Sequence, residues 1–298
     1  MSSISDILQS TWPIIQGPIG SLNSPSMVAA VSEAGGFGML ALGFVKRIEE
    51  AESLVKEVKA RTDKPFGANV VIMNPLHREI LEMLANLGIK TVTTSVGRPD
   101  FIYPIIHDLG MKGLHVVLSL AHAVKAEEAG ADGLVVVGSE AGGLRTRKSE
   151  SSTMVLVPLV CDHVSIPVAA AGGIADSRGY RAALELGAQG VQVGTRFLVS
   201  RESPAHEEWK RAIINCGDGG TALLPVRGNL MTRVVVTPAI RRFMEDPTIN
   251  LEEELGKIDR MKAWEKGDLE NALPGAGQAS ALINDIKTVR EIIEEMVS

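Results

Sequence analysis

Short apolar runs recur along the chain at a spacing of about 25 residues, and a segment of helical period follows each one. The runs 13–16, 37–42, 65–72, 91–96, 113–118 and 133–138 predict six strands, and 166–174 and 191–198 predict two more. These strands are apolar at nearly every position, as expected where both faces are buried in a parallel sheet. Between them, Ser24-Pro25 opens a helix carrying Met27, Val28 and Val31. Further helices are expected over 48–58, from Pro75 to Gly88, over 100–109 and 121–129, and around 154–160. Asp176 is an N-cap for a helix that presents Tyr180, Ala183 and Leu184 and stops at Gly187.

Eight strands alternating with helices predict an α/β fold, a parallel (β/α)8 TIM barrel, with a doubly wound open sheet as the second reading. After the eighth strand the regularity breaks. Residues 216–274 predict a small, mostly helical insertion or cap over the barrel mouth. The barrel itself is expected over 1–215 and 275–298, ending in a helix with Ile286, Val289, Ile293 and Met296 along one face.

The 298 residues suit one large barrel, and 45% hydrophobic with 22% charged residues is ordinary for a soluble chain. No apolar run has membrane-spanning length and the start lacks signal-peptide order, so a cytoplasmic location and no membrane association are expected. A net charge of -6 without a Lys/Arg cluster argues against nucleic acid. The partner expected is a small-molecule substrate, and a homodimer is compatible with the composition. Cys161 and Cys216 have no metal-ligand spacing and are expected as free, inert thiols, so no metal is predicted.

Barrel chemistry sits at the C-terminal strand ends, and these are rich in glycine, amide and hydroxyl groups and poor in carboxylates. The seventh and eighth strands end in Gly172-Gly173 and Gly194-Thr195, each before a helix. Bare backbone N–H groups and helix dipoles there can grip a phosphate; the plain alternative is a pair of tight turns. Such a site suits a flat, phosphate-bearing cofactor that brings its own chemistry.

Several motifs carry a resemblance: Gln16-Gly-Pro-Ile19, Ala34-Gly-Gly-Phe-Gly38, Asn69, Gly138-Ser-Glu-Ala-Gly-Gly143, Ala170-Ala-Gly-Gly-Ile174, Gln192-Val-Gly-Thr-Arg-Phe-Leu198 and Gly275-Ala-Gly-Gln278. In this order, over nearly the whole chain, they resemble the nitronate monooxygenase (2-nitropropane dioxygenase) family. FMN-dependent NADH:quinone reductases and FMN-type enoyl-acyl-carrier-protein reductases are its close relatives. The resemblance implies an FMN-dependent oxidoreductase that oxidises small nitronates with O2. The alternatives are an NAD(P)H-dependent reductase of enoyl thioesters or quinones, with NADH or NADPH as reductant, and a flavin-binding barrel without turnover.

Carried over by position, Gly17, Pro18, Ile19 and Asn69 would meet the flavin ring and ribityl chain, and Gly142 the loop beside the ring. Gly172, Gly173, Gly194 and Thr195 would hold the phosphate, and Gln192 would close the site. Two positions depart from the family. Leu144 stands where its catalytic or substrate-binding histidine usually follows Glu-Ala-Gly-Gly, and Val137 stands where a Gln often precedes Gly-Ser-Glu. The base is therefore unassigned. His122, one turn past the fifth strand, is a candidate against the plain reading of a solvated helix residue, and His115 reads as structural. Arg145, Arg147 and Lys148 read either as a solvated loop or as an attractor of anionic substrate or cofactor phosphates. Ser139 and Glu140 read as loop caps.

Overall fold

The computed structural model describes residues 3–20, 22–147, 150–246, 248–250, 253–254, 265–270 and 273–298. Its main sheet contains β1 (Ile14–Gln16), β2 (Gly38–Ala41), β3 (Phe66–Val71), β4 (Thr91–Ser95), β5 (Lys112–Val117), β6 (Gly133–Val137), β8 (Val168–Ala171) and β9 (Gly190–Val193). The order is β1-β9-β8-β6-β5-β4-β3-β2, and every pairing is parallel. Phe37 N–H donates to Ile14 O at 2.8 Å and Gln16 N–H to Phe37 O at 2.9 Å, which joins the last strand to the first. The sheet is a closed barrel, not an open doubly wound sheet.

Neighbouring positions on one strand separate into two cores. Ile15, Met39, Leu114, Val135 and Ala169 point into the barrel, whereas Ile14, Leu40, Val92, Leu134 and Val191 point out to the helices. Both sets are buried, which explains the continuous apolar runs. The outer layer comprises α2 (Pro25–Glu33), α3 (Ile48–Lys59), α4 (His77–Asn86), α5 (Ile102–Asp108), α6 (Leu120–Glu128), α7 (Thr153–Cys161), α8 (Ser177–Glu185) and the closing α12 (Val289–Val297). A helix absent from the sequence reading, α1 (Ile4–Leu8), plugs the barrel floor with Ile4, Ile7 and Leu8. Only the first half of 191–198 is strand: beyond Gly194 the chain turns into the short α9 (Thr195–Leu198).

The segment after the eighth barrel strand holds, among the described residues, a strand pair that the sequence did not announce. It begins with α10 (Glu207–Ile214), but β10 (Thr221–Arg227) and β11 (Leu230–Val235) then form an antiparallel hairpin before α11 (Pro238–Glu245). Gly228-Asn229 makes the turn, with Gly228 at φ 57°, a hairpin signal that Pro225 and the uninterrupted apolar residues beside it obscured. A third strand, β7 (Gly143–Thr146), comes from the loop after the sixth barrel strand and pairs with β11. That stretch, expected as loop, thus crosses over the mouth to join the hairpin. Among the described residues no helix is long and apolar enough to cross a membrane.

Candidate active site

A cavity of about 850 Å³ opens at the C-terminal ends of the barrel strands, roofed by β7 and β11. Gly17, Pro18, Ile19, Asn69, Gly142, Gly172, Gly173, Gln192, Gly194 and Thr195 all line it, as do Leu144 and His122. Residues from six different strand ends, spread from Gly17 to Thr195, meet here because parallel strands point all their C-termini one way.

The wall made by β8 and β9 is backbone. Gly172 and Gly173 sit at φ 104° and 76°, where a side chain is strained, and a Cβ on Gly172 would lie 3.0 Å from Thr153 Oγ1. A Cβ on Gly194 would meet no atom of the described residues within 4 Å; its missing side chain leaves cavity, not core. Between them Gln192 points inward, and its Oε1 is buried with no hydrogen-bond partner among the described residues. An orphan acceptor beside a bare glycine cradle fits a ligand that brings both an anionic group and an N–H donor.

Asn69, inward on β3, is held from the next strand: its Nδ2 donates to Thr93 Oγ1 at 2.8 Å and its Oδ1 accepts from Ser95 Oγ at 3.2 Å. The loop after β6 is anchored to α7 and to the Gly275–Gln278 motif through Glu140. Glu140 accepts from Thr153 N–H at 2.9 Å and from Thr153 Oγ1 at 3.0 Å, capping α7, whose own N-cap Ser152 provides no side-chain bond. The Glu140 carbonyl accepts from Gln278 N–H at 2.8 Å, and Gly277 N–H donates to Thr195 Oγ1 at 2.9 Å. The Gly275–Gln278 motif thereby laces the loop to the eighth strand. Gly142 and Gly277 touch closely enough that a Cβ on either would come within 2.9 Å of the other's backbone region.

Arg145 corrects the reading of a solvated loop, although it also lines the cavity. It is buried, and its Nη1 donates to Gly138 O at 2.6 Å, while Arg233 Nη2 donates to Ser139 O at 3.0 Å. Burial lowers the pKa of both guanidinium groups, and Arg233 lowers that of Arg145 further while Glu140 opposes it. These cations brace the loop from behind. Arg147 is exposed and donates to Gly228 O at 3.2 Å; Lys148 lies outside the described residues.

Leu144 is set opposite Thr232 in the β7–β11 pairing, and both face the cavity. Phe44, Val71, Val96, Leu118, Leu230 and Leu273 add apolar wall, none of them singled out from sequence. Val96 sits at φ 52° just before Gly97, an uncommon backbone state for a β-branched residue. His122 also reaches the cavity, and behind it His115 is fully buried, with the two Nε2 atoms 3.0 Å apart. No cluster of His, Cys, Asp or Glu among the described residues could hold a metal. Cys161 and Cys216 are free, and burial raises the pKa of both thiols.

Comparison with known proteins agrees with this geometry. The nitronate monooxygenase family model matches residues 1–99 and 77–298. A nitronate monooxygenase of Pseudomonas aeruginosa is 29% identical over 95% of this chain and 96% of its own, and a probable nitronate monooxygenase of Bacillus subtilis 30% over 96% and 95%. Among solved structures, FabK from Thermotoga maritima superposes with a TM-score of 0.90 at 35% identity, over 98% of this chain and 94% of that one. A nitroalkane oxidase from Streptomyces ansochromogenes gives 0.82 at 26%, over 99% and 96%. The chain belongs to the nitronate monooxygenase family and is an oxidoreductase of that flavin-dependent type.

Proposed function

We propose that the cavity binds FMN and that the enzyme oxidises small nitronates with O2. The observation that carries this reading is the bare glycine wall at the seventh and eighth strand ends, with the orphan Gln192 Oε1 set in it. Gly172, Gly173, Gly194 and Thr195 hold the phosphate, Gly17 to Ile19 and Asn69 follow the ring and ribityl chain, and Gly142 lies beside the ring. FMN rather than FAD is expected because one phosphate grip is present and no second dinucleotide-binding unit follows. When bound, the flavin supplies the redox chemistry.

The protein's own residues then exclude water and orient the substrate. Leu144 removes the family's histidine from the roof, so the wall there takes no proton. The substrate is therefore the nitronate, already ionised, in preference to the neutral nitroalkane. A second reading, an NAD(P)H-dependent reductase of enoyl thioesters or quinones, is favoured by the apolar roof and by the 35% identity to FabK.

Anaerobic mixing with propane-2-nitronate, NADH and NADPH in separate experiments decides between them through flavin absorbance. Bleaching by the nitronate supports the first reading, bleaching by a nicotinamide alone the second, and no bleaching leaves a flavin-binding barrel. Released cofactor identified as FAD, or protein that FMN cannot reconstitute, defeats the FMN assignment.

A further inference from the structure

Away from the glycine wall, four side chains form an unbroken hydrogen-bonded row that ends at the cavity. Thr94 and His115 are register partners on β4 and β5 and share the outward face of the sheet. Tyr103, on α5, places its hydroxyl 2.9 Å from Thr94 Oγ1, which in turn lies 2.7 Å from His115 Nδ1. His115 Nε2 lies 3.0 Å from His122 Nε2, with the two rings edge to face. Tyr103, Thr94 and His115 are fully buried, and His122, in the first turn of α6, is half-buried against the cavity.

Counting donors fixes the direction of the row. The Tyr103 hydroxyl has Thr94 as its one hydrogen-bond partner among the described residues, and leaving a buried O–H donor unmade carries the full cost of its desolvation. The phenol therefore donates to Thr94. The Thr94 proton then goes to His115 Nδ1, so neutral His115 carries its proton on Nε2 and donates to His122 Nε2. Neutral His122 is left with its proton on Nδ1, the nitrogen not engaged by the row. Reversing every bond would orphan the Tyr103 proton in the core.

The surroundings keep both rings neutral. Burial, and then His122, holds the pKa of His115 down to about 3; burial, and then Lys125 on the same helix, lowers that of His122. The other titratable groups around the row are Tyr103 itself, whose pKa burial raises; His107, whose ring packs on that of Tyr103; Asp132, whose charge reaches Tyr103 and which pairs with His107 and Lys112; and Asp100, whose charge meets Lys125.

We propose that His122 is a catalytic hydrogen-bond donor whose Nδ1–H meets negative charge on a substrate oxygen, with His115, Thr94 and Tyr103 as positioning residues that fix its tautomer. The ligand class is a planar oxyanion: a nitronate oxygen, or the enolate oxygen of a thioester. The proposal rests on the cavity's being the reaction site and gives His122 the role opposite to a base, since its available nitrogen already bears a proton. A neutral imidazole suits this task because it donates without the penalty of a buried charge.

Nitrogen-15 NMR of the protein as purified reads the tautomers with no turnover required. His122 protonated on Nδ1 and His115 on Nε2 at pH 7 is the expected result; His122 protonated on Nε2, or charged, overturns the proposal. Tyr103→Phe frees the row to reverse and is expected to give mixed tautomers at both rings, a change that a merely structural tyrosine would not cause. Titration with nitrate, a planar and unreactive oxyanion, should shift the His122 Nδ1 proton; no shift overturns the proposal even in an active enzyme. A shift without turnover of any substrate sinks the nitronate reading instead. In turnover, His122→Leu should lower kcat/KM roughly 100-fold while His122→Asn, which keeps an N–H near the Nδ1 position, stays within about 10-fold of wild type. Equal loss in the two overturns the proposal. Running both variants on propane-2-nitronate with O2 and on an enoyl thioester with NADH tells which oxyanion is met.

Discussion

The two walls of the cavity are built from different material. At the ends of β8 and β9 the surface is main chain, with three glycines, one threonine and the orphan Gln192 acceptor. Across from it, at the ends of β4, β5 and β6, the surface is side chain: Ser95, Val96, Ser119, His122 and Leu144. Backbone N–H groups offer the same geometry whatever the neighbouring sequence, so a wall of this kind suits a constant ligand. Side chains can be exchanged singly, so the opposite wall is where substrate choice resides. Local strain is stored there too, since Val96 adopts a positive φ worth roughly 1–3 kcal/mol.

The sharpest way to break this contrast is at Gly194. Its φ of -105° is ordinary for any residue and a Cβ there meets no atom of the described residues within 4 Å, so Gly194→Val should leave the fold intact. FMN affinity should nevertheless fall by about 100-fold or more, roughly 2.7 kcal/mol, because the side chain enters the phosphate cradle. Flavin-fluorescence titration measures the affinity, and the melting temperature of the flavin-free variant checks the fold. Unchanged affinity in a folded variant would mean that the phosphate lies elsewhere.

On the side-chain wall the corresponding change is Leu144→His. It restores an imidazole on β7 without touching the glycine cradle, so FMN affinity should hold. Activity on the neutral nitroalkane should rise selectively, by up to about 100-fold, at the lower end of what a placed general base contributes. A smaller gain is expected if Thr232, its cross-strand partner, does not orient the ring. Wild-type enzyme that already oxidises nitroalkane as fast as nitronate would show that the base is supplied from somewhere other than the roof.

The same contrast explains what was legible in the sequence. Strands buried on both faces announce themselves as apolar runs, and glycines after them mark the mouth, so the barrel and the Gly172-Gly173 and Gly194-Thr195 strand ends could be placed from sequence, while the remaining lining positions came with the family resemblance. The five-residue α1 is too short to show a period, and β7 is recognisable only by its pairing with β11, a partner some 87 positions away in chain. His115 reads as structural and His122 as a base candidate or a solvated helix residue, each without reference to the other. Their contact depends on which face of β5 His115 occupies and on where α6 begins, and neither is encoded by residue type alone.

The last prediction, smallest in effect, concerns acid stability, and it tests the side-chain wall by a quantity the glycine wall does not possess. His115 is fully buried, with its pKa held near 3 in the folded protein against 6.5 when solvated. Well above pH 6.5 the ring is neutral in both states and contributes no pH dependence. Below it the unfolded chain binds a proton that the folded chain refuses, so stability falls as pH drops from 6.5 toward 3, by up to about 1.4 kcal/mol per pH unit. Between pH 7 and 5 the loss is roughly 2 kcal/mol. His115→Gln removes the titration while keeping an amide that can bond to Thr94 or His122, so it should be less stable than wild type at pH 7 yet lose less on acidification. Urea midpoints of both proteins at pH 7 and pH 5 measure the difference. Parallel losses in the two would mean that the ring takes up a proton in the folded state, and the neutral row behind His122 would fall with it.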